Sequence, residues 1–312
     1  MNLKRTSSLA LAMGASLLAG AQTASAAEGA FSNYFPGAYG TLLPGMAPEP
    51  GTVLQSVNLF YSGDTDFAVR QGQVDVNLSA DSFITLVQGL YVWDLPDVGG
   101  RFAIGGYVPY AYSEMSGSIR TGIGNIPFSA DVDGFGDIGI IPASYFWSSG
   151  NFHFNLYELI FAPTGKYDVD ADLSVGRNYW SFDTVLAMTW FNPETGTDLS
   201  AVGGIMINTE NPDTNYRTGT EFHLDLAANQ FLTEEFAVGL RGYFYHQLTG
   251  DSGSGAVLGD FKGASAGAGL GLSWIPKSAG GQFSFTASWV RDFYTKNRLD
   301  ADYGAVSLAF TF

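Results

Sequence analysis

The last ten residues of the chain, Tyr303 to Phe312, read YGAVSLAFTF and alternate without a fault. Gly304, Val306, Leu308, Phe310 and Phe312 fall on one face; Ala305, Ser307, Ala309 and Thr311 fall on the other. A period of two is the strand period. The apolar face runs to an aromatic residue at the final position, a poor end for a strand in water. It suits the closing strand of a bacterial outer-membrane barrel, which the assembly machinery reads.

The opposite end agrees. Lys4 and Arg5 make a positive n-region, Leu9 to Ala21 a short apolar stretch, and Ala24-Ser25-Ala26 a small-residue cleavage site, so residues 1–26 look like a secretory signal. The stretch is too short and alanine-rich for a spanning helix, and no later segment has eighteen uninterrupted apolar residues. A mature chain beginning near Ala27 holds 286 residues. Removing Lys4 and Arg5 from the 14 basic residues leaves 12 against 30 acidic ones, a net charge of −18. Nucleic acid is thereby a poor partner. With no cysteine, disulfide and thiol chemistry are excluded. Gly 40, Phe 24, Tyr 16 and Trp 6 describe an aromatic-rich sheet protein. A mean hydropathy of +0.08 is what alternating lipid-facing and water-facing positions average to.

Apolar alternation marks twelve strands, near 52–63, 74–93, 101–119, 126–147, 151–163, 179–192, 198–209, 218–231, 235–248, 263–276, 282–294 and 303–312. Most exceed the roughly 9–11 residues that cross a bilayer as a tilted strand. The connections alternate in length. Short ones fall at 94–100, 148–150, 192–196, 233–235 and 276–281; long ones fall at 62–72, 117–125, 164–178, 211–219, 249–263 and 295–302. Short periplasmic turns and long external loops are the barrel pattern. An even strand count then brings both ends of the sheet to the periplasm. The expected architecture is all-β: a transmembrane antiparallel β-barrel over 52–312, behind an N-terminal segment.

Polar groups cannot face hydrocarbon unpaired, so the polar face of each strand must turn inward. In 218–231 that face holds Glu221, His223, Asp225 and Asn229; in 235–248 it holds Arg241, Tyr243, Tyr245 and Gln247. A three-residue turn pairing Phe231 with Glu235 sets Asp225 opposite Arg241, His223 opposite Tyr243 and Glu221 opposite Tyr245. These residues, with Asp183, are the expected lumen lining, and Tyr243 and Tyr245 are candidate stacking surfaces for a passing solute. The inner face of 263–276 is Ser265, Gly267, Gly269, Gly271 and Ser273, which leaves room for a plug segment, bulky Tyr or Arg side chains, or a ligand. The strand at 74–93 is apolar on both faces, as if packed against protein inside. Glu158 and Arg291 fall on outward registers, which suits a bulge or the lipopolysaccharide level. Residues 27–51 carry Phe31, Tyr34, Phe35, Tyr39 and four prolines. Pro and Gly exclude a long helix or strand there, and the aromatics favour a segment folded into the periplasmic mouth over a solvated tail.

Several phrases resemble the MetA-pathway phenol-degradation family: FSNYFPGAYGTLLPGMAPEPGT at 31–52, FAPTGKYD at 161–168, GRNYWSFD at 176–183, INTENPDTNYRTGTEFHLD at 207–225 and GYFYHQLTGDSGSGA at 242–256. The resemblance spans nearly all of the mature chain. It implies an outer-membrane barrel, transporter or porin-like, that takes up small hydrophobic molecules and has no family catalytic residues to carry over.

The residues themselves give little catalytic chemistry. Three ligands on one strand, Glu221, His223 and Asp225, spread over about 13 Å, too far for one ion, so a luminal polar network is expected instead. His153 is expected to face inward near the periplasmic end and His246 outward. DSGSGA at 251–256 fits a flexible loop. The acidic loop residues Asp168, Asp170, Asp172, Asp251 and Asp260 lack the EF-hand spacing; they would repel anions and admit neutral or cationic solutes. The expectation is a cofactor-free, non-enzymatic channel of the outer membrane for passive uptake of small hydrophobic, phenol-like compounds, in contact with lipid and lipopolysaccharide. Its rivals are a non-conducting structural barrel and an outer-membrane hydrolase, which a serine–histidine contact on the wall would favour.

Overall fold

The computed structural model describes residues 27–28, 32–70, 73–121, 124–256, 261–280 and 282–312. The secretory signal at 1–26 and Phe31 lie outside them. Thirteen strands follow in order: β1 (Gly51–Arg70), β2 (Gln73–Leu95), β3 (Gly100–Thr121), β4 (Gly124–Phe135), β5 (Ile138–Ser149), β6 (Phe152–Ala162), β7 (Ser181–Asn192), β8 (Thr197–Asn208), β9 (Glu221–Phe231), β10 (Phe236–Gln247), β11 (Ala264–Trp274), β12 (Phe283–Lys296) and β13 (Asp300–Thr311). All pair antiparallel with chain neighbours, and β1 pairs with β13, so the sheet closes without a free end.

The barrel has twelve staves. β4 and β5 are two halves of the fourth, separated at Gly136 and Asp137: β3 pairs with β5 from Gly100 to Tyr107 and with β4 from Tyr110 to Thr121. The break is sewn to the loop after β6. The backbone N–H groups of Gly165 and Arg177 each donate to an Asp137 carboxylate oxygen at 2.8 Å.

Each stave is turned inside out relative to a soluble sheet. Along β7, Ser181, Asp183, Val185, Ala187 and Thr189 are buried, while Phe182, Leu186 and Met188 are exposed. Leu240, Leu270 and Trp289 on later strands are likewise outward and exposed. A ring of exposed Leu, Val, Phe and Trp around buried carboxylates is stable only where hydrocarbon is the outer solvent.

Three expected long loops are instead strand. β1 and β2 continue paired to Arg70 and Gln73, β3 and β4 to Thr121 and Gly124, and only 297–299 separate β12 from β13. β13 pairs with β1 only from Val53 to Asp64, so β1 to β4 stand above the ring as a raised wall. Outside the bilayer neither face needs to be apolar, so pairing continues where the alternation fades. The genuine long connections are 163–180, 209–220 and 248–263.

Both outward charges sit by bulges. The β5–β6 register slips between Ile140 and Ala143, opposite Glu158, which accepts a hydrogen bond from Thr184 at 2.6 Å. The β11–β12 register slips next to Asp292, and Arg291 pairs with Asp300 and Asp302 at 2.9 and 2.6 Å. A bulge re-aims a side chain without ending the strand.

Candidate functional site

The described part of the N-terminal segment runs the length of the barrel, further than the periplasmic mouth. At the external end, the Ala27 N–H donates to Asp251 at 3.1 Å, and Thr214 and Asn211 donate to Glu28 at 2.6 and 3.1 Å. Midway, Ser32 donates to Glu221 at 2.9 Å, Asn33 to Ser181 at 2.9 Å and the Tyr34 hydroxyl to Asp225 at 2.7 Å. Lower down, the N–H groups of Leu43 and Gly45 donate to Asp198 and Thr189 at 3.1 and 3.0 Å, and Glu49 pairs with Arg101. The segment has no strand partner, and these side chains of the inner wall satisfy its backbone and hydroxyls.

The eight expected interior residues, Asp183, Glu221, His223, Asp225, Arg241, Tyr243, Tyr245 and Gln247, are all buried inside. Their pairing differs from the sequence expectation by two residues. Phe231 pairs with Ala237, so Asp225 opposes Tyr243, His223 opposes Tyr245, Glu221 opposes Gln247 and Arg241 opposes Ala227. The cause is the turn: Thr233 Oγ1 accepts from the N–H groups of Glu235 and Phe236, which lengthens it to residues 232–235. A shift of two preserves the faces.

These groups bond to one another and to the N-terminal segment. His223 Nε2 lies 3.0 Å from Asp183, Tyr245 donates to Glu221 at 2.6 Å, Tyr243 donates to Asp292, Gln247 donates to Asp251, and Arg241 donates to Asn229 at 2.7 Å. Tyr34 stacks on His223 at 4.4 Å and lies parallel to Tyr245 at 5.9 Å. Tyr243 meets Tyr303 edge-on at 5.8 Å. The two tyrosines expected to stack on a solute are thus occupied by protein rings. The glycine row on β11 has the same explanation. A Cβ at Gly267 would lie 2.5 Å from the Tyr243 ring, and one at Gly271 2.5 Å from the Arg241 guanidinium. Of the three occupants considered for that space, the Tyr and Arg side chains fill it.

The open space lies across the barrel, against β1, β2, β3 and β6. An upper cavity of about 170 Å³ is bounded by Tyr61, Ile84, Tyr107, Pro109, Phe161 and Arg298. A lower one of about 310 Å³ is bounded by Tyr39, Val57, Leu90, Ile141, Tyr157 and Leu159. Both are bounded by Phe35, Leu59, Leu86 and Tyr107, which form the waist between them. The doubly apolar β2 finds its reason here, since Ile84, Leu86 and Leu90 face these cavities while Phe83, Val87 and Tyr91 face out. None of the eight residues read from the sequence borders either cavity. Phe35, Tyr107 and Arg298 were missed, and the aromatic density of NYFPGAY was the available signal.

A serine–histidine contact does occur, with Ser148 Oγ 2.8 Å from His153 Nδ1 at the β5–β6 turn. Among the described residues no group bonds to His153 Nε2, so the orienting third member of a triad is missing. The contact joins paired residues on neighbouring strands.

A family model described as "Putative MetA-pathway of phenol degradation" matches residues 62–308. Among solved structures, the chain is similar to the COG4313 outer membrane channel from Pseudomonas putida F1, with 16% identity, 89% of this chain and 100% of that chain covered, and a TM-score of 0.67. It also matches the translocator domain of the autotransporter NalP from Neisseria meningitidis (12% identity, 85% and 90% covered, TM-score 0.46). A Pseudomonas aeruginosa FadL homologue matches at 13% identity, with 84% and 90% covered and a TM-score of 0.44. No curated protein sequence matches.

Proposed function

We propose, since this chain belongs to the MetA-pathway phenol-degradation family, that it conducts small hydrophobic, phenol-like molecules passively across the outer membrane. The observation that carries this reading is the pair of apolar cavities meeting at Phe35, Leu59, Leu86 and Tyr107. A purely structural barrel has no use for hollow, ring-lined space beside a packed polar wall, because voids forfeit dispersion contacts. An engineered apolar cavity of about 150 Å³ holds benzene, so the upper cavity suits one aromatic ring. The N-terminal segment acts as the plug that narrows the path and keeps larger polar solutes out. Uptake of labelled phenol by a deletion strain against a complemented strain tests the reading. Faster uptake on complementation is expected; equal rates overturn it.

A second reading concerns the exit. The upper cavity also reaches Pro109, Gly136 and Asp137, where the fourth stave is broken, which favours departure sideways into lipid over passage past Phe35. A Cβ at Gly136 would lie 3.1 Å from Pro109 and 3.4 Å from Val175. Gly136→Val therefore slows uptake if the exit is sideways and leaves it unchanged if the path is axial.

A further inference from the structure

Two cations border the upper cavity, Arg177 and Arg298. Arg298 lies in the short β12–β13 turn and rests its guanidinium 4.1 Å over the Tyr245 ring. Arg101, Arg291 and Lys277 each hold carboxylates in ion pairs, but Arg298 holds none among the described residues. The nearby carboxylates are already engaged. Glu221 takes hydrogen bonds from Tyr245 and Ser32, and Asp292 takes them from Tyr243 and the Ala301 N–H. The other acidic groups at the cavity are similarly occupied: Asp137 by two backbone N–H groups, and Glu114 by the Tyr112 hydroxyl at 3.2 Å.

A guanidinium keeps a planar fork of N–H donors matched to a carboxylate. Glu221 and Asp292 act on Arg298 through their charge and Tyr303 takes a hydrogen bond from it, but among the described residues no carboxylate is in ion-pair contact with it, so donors of its fork remain for an incoming anionic headgroup. We propose that the upper cavity is a binding site for small aromatic monocarboxylates, the ring held among Phe35, Leu86, Tyr107 and Phe161 and the carboxylate paired with Arg298. This rests on the channel reading and narrows its substrate class from neutral phenol-like molecules to ring acids. It also departs from the expectation that the acidic loops simply repel anions. Loop charges in water are screened within about 10 Å at ordinary salt, whereas Arg298 acts inside the cavity, where screening is weak.

The test uses the purified full-length protein in detergent, with labelled benzoate and labelled benzyl alcohol as probes in equilibrium dialysis. The wild type is expected to bind benzoate at least ten times more tightly than the alcohol. Arg298→Gln is expected to lose that preference while still binding the alcohol, and Arg298→Lys to keep part of it. As a measurement that needs no variant, benzoate binding by the wild type falls as the ligand protonates at low pH, and alcohol binding stays flat. Binding of both probes with no preference, or a preference that survives Arg298→Gln, overturns this inference and leaves the channel reading standing. Binding of neither probe overturns the channel reading and this inference with it.

Discussion

The hydrogen bond from Tyr34 to Asp225 is the most informative single contact to break. Both residues are buried, at 2% and 0% exposure, and the hydroxyl lies 2.7 Å from the carboxylate. Tyr34→Phe removes that donor and keeps the ring that stacks on His223 and Tyr245. A hydrogen bond to a charged group contributes about 1.5–3 kcal/mol, and about 1.4 kcal/mol is tenfold in an equilibrium. The fraction of time that the N-terminal segment spends undocked from the β9–β10 wall should therefore rise about ten- to hundredfold. Tyr34→Ala adds the lost ring contacts, about 0.5–1.5 kcal/mol each. Single-channel recording in planar bilayers measures this as open probability. If the contact is the latch, Asp225→Asn on top of Tyr34→Phe adds much less than it does alone, because both variants break the same bond. An open probability for Tyr34→Phe equal to wild type, or strict additivity of the pair, would show that this contact is not the latch.

Other outcomes follow from the same geometry. Gly269→Ala would place a Cβ 1.8 Å from the Trp289 carbonyl oxygen, which is backbone and cannot give way, whereas a Cβ at Gly242 meets nothing within 3.8 Å; the first should fail to reach the heat-resistant folded form on gels and the second should match wild type. Leu240 is 63% exposed at mid-strand, so Leu240→Arg should cost about 2–4 kcal/mol in urea unfolding from vesicles if that position faces the bilayer midplane, and no loss would contradict the lipid-facing assignment. Burial raises the Glu28 carboxyl above its ordinary value, against the Thr214 and Asn211 hydrogen bonds and the Arg177 charge, which lower it; the Asp251 charge raises it further. A raised carboxyl favours the docked state below the ordinary value and loses that contribution as pH rises through the shifted one. Protease cleavage near Glu28 should thus be slower at pH 4 than at pH 7, and Glu28→Gln should flatten the difference.

The barrel was legible because hydrocarbon outside and polar groups inside impose a period of two, and β7, β9, β10 and β11 obey it residue by residue. That alternation carries face but not register. The two-residue slip at β9–β10 came from Thr233 bonding inside its own turn, a local contact with no periodic trace. It also stops carrying information above the bilayer, where β1 to β4 stay paired on polar sequence. The break at Gly136 and Asp137 is set by carboxylate bonds to a distant loop, so the apolar pattern of 126–147 ran across it. The interior polar wall could be found from strand faces. The cavities could not, since they depend on which face Phe35 and Tyr34 take inside the ring, and an irregular segment has no period to read.

The central claim is that small ring molecules occupy the space between the N-terminal segment and β1, β2, β3 and β6. Crystals of the purified protein grown with 4-bromophenol test it most directly through the anomalous signal of the bromine. A bromine peak is expected in the upper cavity, among Phe35, Leu86, Tyr107 and Phe161. Bromine found only on the outer apolar belt, with that cavity empty, would contradict it.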